Sequence, residues 1–257
     1  MRSHLFPVLL FALASGVLSA QTTAPAQKPP AQNPAGQSLT VDEIVAKNLE
    51  ARGGVDLLRA TESMKMVGTV TSPAGQAKMT NWMKRPNRKR TETDFGGQKA
   101  VEAFDGTTPW VSIGGLPPQI IPPSPRLEEA KGRSEIDSPL LDYRARRRAV
   151  ALDGREKADG GDVYHLRITE RGQVTHYYLD ATTFLEKKIM SRISDGQNTA
   201  QVELRFSDFR EVQGRMVPFT IQQIVDGKAA AQTRLESVEF NIPIDDAMFK
   251  MPGKGPR

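Results

Sequence analysis

The side chains that most often perform catalysis or bind metals are scarce in this sequence. Its 257 residues include no Cys and three His, which are His4, His165 and His176. The lack of Cys excludes disulfides, thiolate zinc sites, iron–sulfur clusters and a cysteine nucleophile. The glycine motifs of a nucleophile elbow, a phosphate-binding loop or a dinucleotide site are missing too. We therefore expect a protein that is not an enzyme and that uses no metal or cofactor.

Two of the histidines fall on a predicted β-hairpin. Pairing Glu170 with Gln173 places His165 and His176 on one face as diagonal neighbours, at a separation of about 7 to 8 Å. That separation is too large for joint metal ligation without rearrangement, and no third ligand is evident. The pattern favours a polar sheet surface. An enzyme would be indicated instead if a pH-dependent activity were lost on replacing either His.

The N-terminal region has the pattern of a secretory signal. Arg2 precedes an apolar stretch over residues 5–18, and small residues follow at Ser19 and Ala20. The stretch is shorter than the roughly 20 apolar residues of a membrane-spanning helix. We expect residues 1–20 to be cleaved near Ala20, which predicts a periplasmic location for the mature protein.

The rest of the chain divides by composition. Residues 21–38 are rich in Pro and nearly uncharged, which is typical of a flexible tether. With 25% charged and 38% apolar residues, the whole chain has the composition of a globular protein that can bury a core. We place one domain at residues 39–252 and a basic C-terminal tail at residues 253–257.

Local patterns predict a mostly-β domain with a few helices. Thr40 and Glu43 form a capping-box pattern, and Gly53-Gly54 ends the helix that follows it. Period-two alternation then predicts about ten strands, with turn signals every 8 to 12 residues or so. An insertion at residues 116–149 interrupts them, and two further helices are predicted to open at Ser124-Pro125 and Ser138-Pro139. We expect a long curved antiparallel sheet with the helices against one face.

The concave side of a curved sheet of this length must be filled by side chains, by helices or by a ligand. Met64 and Met66 alternate on one predicted strand, and Met79 and Met83 alternate on the next. Unbranched methionines suit a surface that repacks around ligands of variable shape. Filling of an ordinary core is the alternative explanation for the same residues.

Four strings, taken in order along residues 39–252, resemble the LolA/LolB-like family of periplasmic outer-membrane lipoprotein-sorting proteins. They are WMKRPN at residues 82–87, DGTTPW at 105–110, SPLL at 138–141 and IDDAMF at 244–249. The resemblance implies an unclosed β-barrel covered by short helices that holds lipoprotein acyl chains. It also implies that Arg85 latches the lid by hydrogen bonds, although a solvated Arg85 at the rim is the simpler alternative.

The resemblance, together with strand parity, predicts the ligand-binding residues. Met64, Met66, Met79 and Met83 would line the cavity, and Trp82 would point away from it. Leu140 and Leu141 would close the cavity from the lid side.

The main hypothesis is therefore a monomeric, non-catalytic carrier or sensor for lipoproteins or a related amphiphile. It would exchange its ligand with inner- or outer-membrane protein partners. The alternative is an envelope interaction module that contacts acidic partners or lipopolysaccharide through the basic runs at residues 84–90 and 144–148. We do not expect nucleic acid to be a partner.

Overall fold

The computed structural model describes residues 39–122, 135–158, 160–194 and 198–253. In these ranges the chain forms one antiparallel sheet of thirteen strands with two short α-helices, α1 (Val41–Ala51) and α2 (Val55–Arg59). The strands are β1 (Ser63–Ser72), β2 (Gly75–Lys84), β3 (Arg88–Phe95), β4 (Gln98–Phe104), β5 (Pro109–Ile113), β6 (Gln119–Ile120), β7 (Ala149–Ala158), β8 (Gly161–Glu170), β9 (Gln173–Asp180), β10 (Glu186–Ser194), β11 (Thr199–Val212), β12 (Arg215–Val225) and β13 (Lys228–Phe240).

The strand order explains why the barrel is open. The sheet runs from β6 through β1 to β13 and then down to β7, so the first and last strands meet in its middle. Strands β6 and β7 are the two edges of the sheet. The predicted fold class, a curved antiparallel sheet forming an unclosed barrel covered by short helices, is confirmed, and the sheet is longer than the ten strands expected.

The first helix begins as predicted. The Thr40 side chain accepts a hydrogen bond from the Glu43 backbone N–H, and the Glu43 carboxylate accepts one from the Thr40 backbone N–H. The helix ends at Ala51, and Gly53 follows it at a φ of 123°. A Cβ at Gly53 would lie 2.5 Å from the Gly214 carbonyl oxygen, so the close approach of this loop to the β11–β12 turn requires glycine.

The inner face of the sheet is the face against which α1 packs. There, Ile44, Val45 and Leu49 of α1 form a buried cluster with Leu166 and Tyr177 of strands β8 and β9. A second buried cluster lies further along the sheet, on β12 and β13. It contains Val217, Phe219, Leu235, Val238 and Phe240.

Strand register shows that both clusters lie on this inner face. Tyr177 pairs with Ile189, Ile189 with Leu204, and Leu204 with Gln223. Paired residues in antiparallel strands share a face. The inner face is therefore continuous from β8 to β2 and mostly apolar, and α1 covers one end of it.

The C-terminal segment packs on the opposite, outer face. Trp110 is 1% exposed, and its indole N–H donates to the Phe249 carbonyl oxygen at 2.8 Å. Phe249 itself is fully buried in a 3-10 turn over Asp246–Phe249. The guanidinium of Arg90 lies over the Trp110 ring. Trp110 is consequently part of a small outer core, and Trp82, which pairs with Arg90, lies on this outer face as predicted.

The helix predicted to open at Ser138-Pro139 is replaced by a series of turns. The Arg146 N–H donates to the Asp142 carbonyl oxygen, but Asp142 and Arg147 adopt φ values of 55° and 56°. Left-handed residues interrupt the repeating hydrogen-bond pattern of a helix. We call the turns at residues 135–148 the cover segment.

Several predictions concern residues outside the described ranges. They are the signal at residues 1–20, the tether at residues 21–38, the helix at Ser124-Pro125 and most of the C-terminal tail. The domain limits therefore stay predictions. No helix in the described part of the chain has both the length and the apolar character needed to cross a membrane.

Candidate functional site

The four predicted methionines share the inner face. Met64 pairs with Met83 across β1 and β2, and Met79 lies opposite Gly68 on the same strand pair. Met64, Met66 and Met79 are partly buried and pack against the second apolar cluster, whereas Met83 is 6% exposed. Because the first three retain exposed surface, they are available to a ligand that lies along the inner face.

Two buried amide side chains on the inner face have unused hydrogen-bonding capacity. The Asn81 amide N–H donates to the Thr91 hydroxyl at 2.9 Å, but Asn81 Oδ1 has no hydrogen-bond partner among the described residues. Gln223 Nε2 is likewise unpartnered within the described ranges. An unsatisfied buried polar group costs about 1 to 3 kcal/mol. Both atoms are buried, so the ester or amide group of an amphiphile would reach them only after neighbouring side chains move.

Leu140 and Leu141 lie in the other cluster. They are 0% and 1% exposed and pack with α1 and with strands β8 and β9. In the described conformation they are core residues of the cover segment and present no surface to a ligand. Their predicted role as ligand contacts would require the cover segment to move away from the sheet.

Arg85 connects the end of β2 to the cover segment. Its guanidinium donates to both carboxylate oxygens of Asp137, at 2.6 and 2.5 Å, and its Nε donates to the Thr61 carbonyl oxygen at 2.6 Å. The Asp137 side chain is only 4% exposed. Bidentate pairs of this kind are among the strongest charge-assisted hydrogen bonds. The hydrogen bond to Asp137 raises the pKa of Arg85 still further, so the guanidinium stays charged.

Three more ion pairs fasten the cover segment to separate elements. Arg59 of α2 binds both Asp142 oxygens, Asp42 of α1 accepts hydrogen bonds from Tyr143 and Arg144, and Arg148 donates to Glu170 of β8. Hydrogen bonds from Arg59 and Arg144 lower the pKa values of Asp142 and Asp42, respectively. The segment is therefore held over the sheet by a buried apolar contact surrounded by charged pairs.

Described residues also form two surface depressions, and neither contains the predicted methionines. One, of about 530 Å³, is lined by apolar Val41 and Val150 and by Arg144, Arg147 and Arg148. The other, of about 490 Å³, is lined by polar and charged side chains. They are Thr69, Thr71, Gln76, Gln232, Arg234 and Glu236. Neither of these two depressions is an acyl-chain cavity.

The predicted placement of the two histidines as diagonal neighbours on one face is confirmed, but the predicted separation is wrong for their ring nitrogens. The predicted pairing of Glu170 with Gln173 is present, but the imidazoles turn toward each other and His165 Nε2 lies 2.8 Å from His176 Nδ1. The carboxylate of Asp153, a third potential ligand that was not evident in the sequence, lies near both imidazoles. Burial of His165 lowers its pKa and favours the neutral imidazole.

Sequence reasoning missed Asp137, the partner of Arg85. A single acidic residue before Ser138-Pro139 is common turn chemistry, so nothing in the local pattern distinguishes it. Asp153 was missed because it lies at a register shift between β7 and β8, where Leu152 pairs with Leu166 and Gly154 with His165. Such bulges depend on strand pairing and leave little trace in the sequence of one strand.

Comparison with solved structures confirms the LolA-like fold. A LolA superfamily protein from Nitrosomonas europaea aligns with a TM-score of 0.55 and 16% identity, over 83% of this chain and 98% of that one. A domain described as an outer membrane lipoprotein-sorting protein, from Vibrio parahaemolyticus, aligns with a TM-score of 0.53 and 12% identity, over 80% and 94% of the two chains. A DUF1329 family protein from Desulfovibrio piger aligns with a TM-score of 0.56 and 12% identity, over 82% and 97%. No protein-family model and no curated protein matches the sequence.

Proposed function

We propose that the protein is a non-catalytic periplasmic carrier or sensor that binds the acyl chains of lipoproteins, or of a related amphiphile, on the inner face of its open barrel. The observation that carries the proposal is the half-covered apolar surface of Met64, Met66 and Met79 beside a cover held by ion pairs. The LolA-like fold supports it, since the solved relatives include a protein described as lipoprotein-sorting.

The energetics favour a cover that a ligand can displace. Each methylene removed from water contributes about 0.8 kcal/mol, so ten buried methylenes contribute about 8 kcal/mol. The two hydrogen bonds between Arg85 and Asp137 contribute about 1.5 to 3 kcal/mol each. An acyl chain that enters beneath the cover segment can therefore offset the opening of the Arg85–Asp137 pair. In this scheme Leu140 and Leu141, released from the core, become ligand contacts.

The alternative function relies on exposed basic runs, and the contacts of these arginines weaken it. Arg148 is buried and bonded to Glu170, and Arg144 is bonded to Asp42. Arg90 donates to Glu92 and to the Met248 carbonyl oxygen. Because much of the basic charge is used within the domain, less of it is available to acidic partners or lipopolysaccharide.

Two lysine substitutions on β2 test the ligand-binding surface. Met79→Lys places a charge on the inner face, whereas Thr80→Lys places the same charge one residue away on the outer face. We expect Met79→Lys to weaken binding of a fluorescent fatty acid at least tenfold and Thr80→Lys to leave it unchanged. Binding that is absent in the parent protein, or equal in both variants, would refute the proposal.

A further inference from the structure

The outer face of β7, β8 and β9 carries a cluster that the proposed carrier function does not use. His165 lies between Tyr164 and Leu166, whose side chains belong to the inner-face core, so the imidazole is on the opposite side of the sheet. His176 and Asp153 lie beside it. One ligand atom from each of the three side chains falls within 4.8 Å of the other two.

We propose that Asp153, His165 and His176 bind a borderline divalent transition-metal ion, for which Zn²⁺ is the test ion. Two neutral imidazoles and one carboxylate form a donor set that suits such ions, and three protein ligands leave a further position for water or an added ligand. The proposal is independent of acyl-chain binding, because the two surfaces lie on opposite faces.

The distances in the cluster are close to those of a tetrahedral site. Metal–ligand bonds of about 2.0 to 2.2 Å at tetrahedral angles place the ligand atoms about 3.3 to 3.5 Å apart. His165 Nε2 lies 2.8 Å from His176 Nδ1 and 4.0 Å from Asp153 Oδ2. One pair is slightly too close and the other slightly too far, so small side-chain rotations suffice to accommodate the ion.

Neighbouring residues orient the ligands. Gly154, rather than Asp153, pairs with His165, so Asp153 is the extra residue of a β-bulge. Glu156 Oε1 lies 3.5 Å from His165 Nδ1, on the side of the ring away from His176. A small rotation would bring this carboxylate into hydrogen-bond contact with Nδ1, and a carboxylate in that position fixes the tautomer and orientation of a ligating imidazole. The Tyr178 ring stacks on His165 at 4.4 Å and restricts its rotation.

Arg167 is expected to lower the affinity of the cluster for a metal ion. Its Nε lies 3.1 Å from both Asp153 oxygens, so it competes with an ion for that carboxylate. We therefore expect Arg167→Gln to tighten zinc binding about three- to tenfold, by the removal of a competing charge. A purely structural role for the cluster predicts no such gain.

The test is calorimetric titration of ZnCl₂ into the purified protein without a histidine tag. We expect one Zn²⁺ per chain with a micromolar dissociation constant. His165→Ala and His176→Ala should each weaken it at least about 100-fold, and Glu156→Gln about 10- to 100-fold. Asp153→Asn should weaken binding, whereas Asp162→Asn, which changes a carboxylate of β8 that is paired with Lys157 and lies on the same side of the strand as Tyr164, should not.

Thermal unfolding distinguishes a variant that has lost zinc binding from one that is merely misfolded. Zinc should raise the unfolding temperature of the parent protein and of Asp162→Asn but not that of His176→Ala, even where all three are equally stable without metal. Titration without heat and without a stability shift, or equal zinc binding by the parent and His176→Ala, would overturn the proposal. If the parent protein binds zinc but no acyl chain, only the carrier function is refuted.

Discussion

The Arg85–Asp137 pair is the most direct test of whether the cover segment is latched. Arg85→Leu removes two hydrogen bonds to a carboxylate that is 4% exposed. Hydrogen bonds to charged groups contribute about 1.5 to 3 kcal/mol each. Arg146 still donates to Asp137 after the substitution, so the carboxylate keeps one partner. We therefore expect opening of the segment to become about 2 to 3 kcal/mol easier, which is less than the cost of leaving a buried charge unpaired.

That change corresponds to an open population about 30- to 150-fold larger, since 1.4 kcal/mol is a factor of ten. If only the open form binds an acyl chain, the apparent dissociation constant falls by the same factor until the open form predominates. A latch therefore has an unusual signature. Removal of the Arg85–Asp137 contact should improve ligand binding and, at the same time, make the cover segment open more often.

Amide hydrogen exchange measures the opening directly. The N–H groups of Leu141 and Arg148 donate within the segment, to Ser138 and Tyr143. Their exchange should accelerate by the predicted factor in Arg85→Leu, and exchange in α1 should not. Arg205→Leu, which removes an arginine paired with Glu203 on the outer face, is the control. Unchanged exchange in the segment, or equal acceleration throughout the domain, would show that Arg85 is not a latch.

Three further predictions concern stability and pH. Leu140→Ala should destabilise the protein by about 2 to 5 kcal/mol in urea unfolding, because the side chain is fully buried. Gly68→Ala should cost about 1 to 3 kcal/mol in the same assay, since its Cβ would lie 2.4 Å from the Arg234 carbonyl oxygen. Arg59 lowers the pKa of Asp142, so the contribution of this carboxylate is complete above its unfolded value of about 3.9 and is lost as the pH falls below it. Exchange in the cover segment, corrected for intrinsic rates, should therefore rise below that pH, and Asp142→Asn should reduce the effect.

Short-range patterns predicted much of the fold. The Thr40 capping box depends on residues three apart, and period-two alternation at Met64, Met66, Met79 and Met83 places all four on one face. The register of the Glu170–Gln173 hairpin follows from its two-residue turn. These features depend on local backbone geometry, so they are visible in the sequence.

Side-chain convergence was less predictable. Backbone spacing predicted that His165 and His176 are diagonal neighbours and too far apart to bind one metal ion. Rotation about their side-chain bonds instead brings two ring nitrogens to 2.8 Å from each other. The turns of the cover segment replaced a predicted helix because Asp142 adopts a left-handed conformation while its carboxylate binds Arg59. Both outcomes depend on neighbours that are distant in sequence.

The sequence alone determined that this chain forms strands with an apolar face and that a helix begins after Thr40. It also identified Arg85 as a candidate to hold a lid. Tertiary structure decided that Asp137 is the partner of Arg85, that Leu140 is buried in a core, and that Asp153 joins the two histidines. The physical reason is range. Backbone preferences act over a few residues, whereas ion pairs, buried contacts and ligand sets form between segments that only the folded sheet brings together.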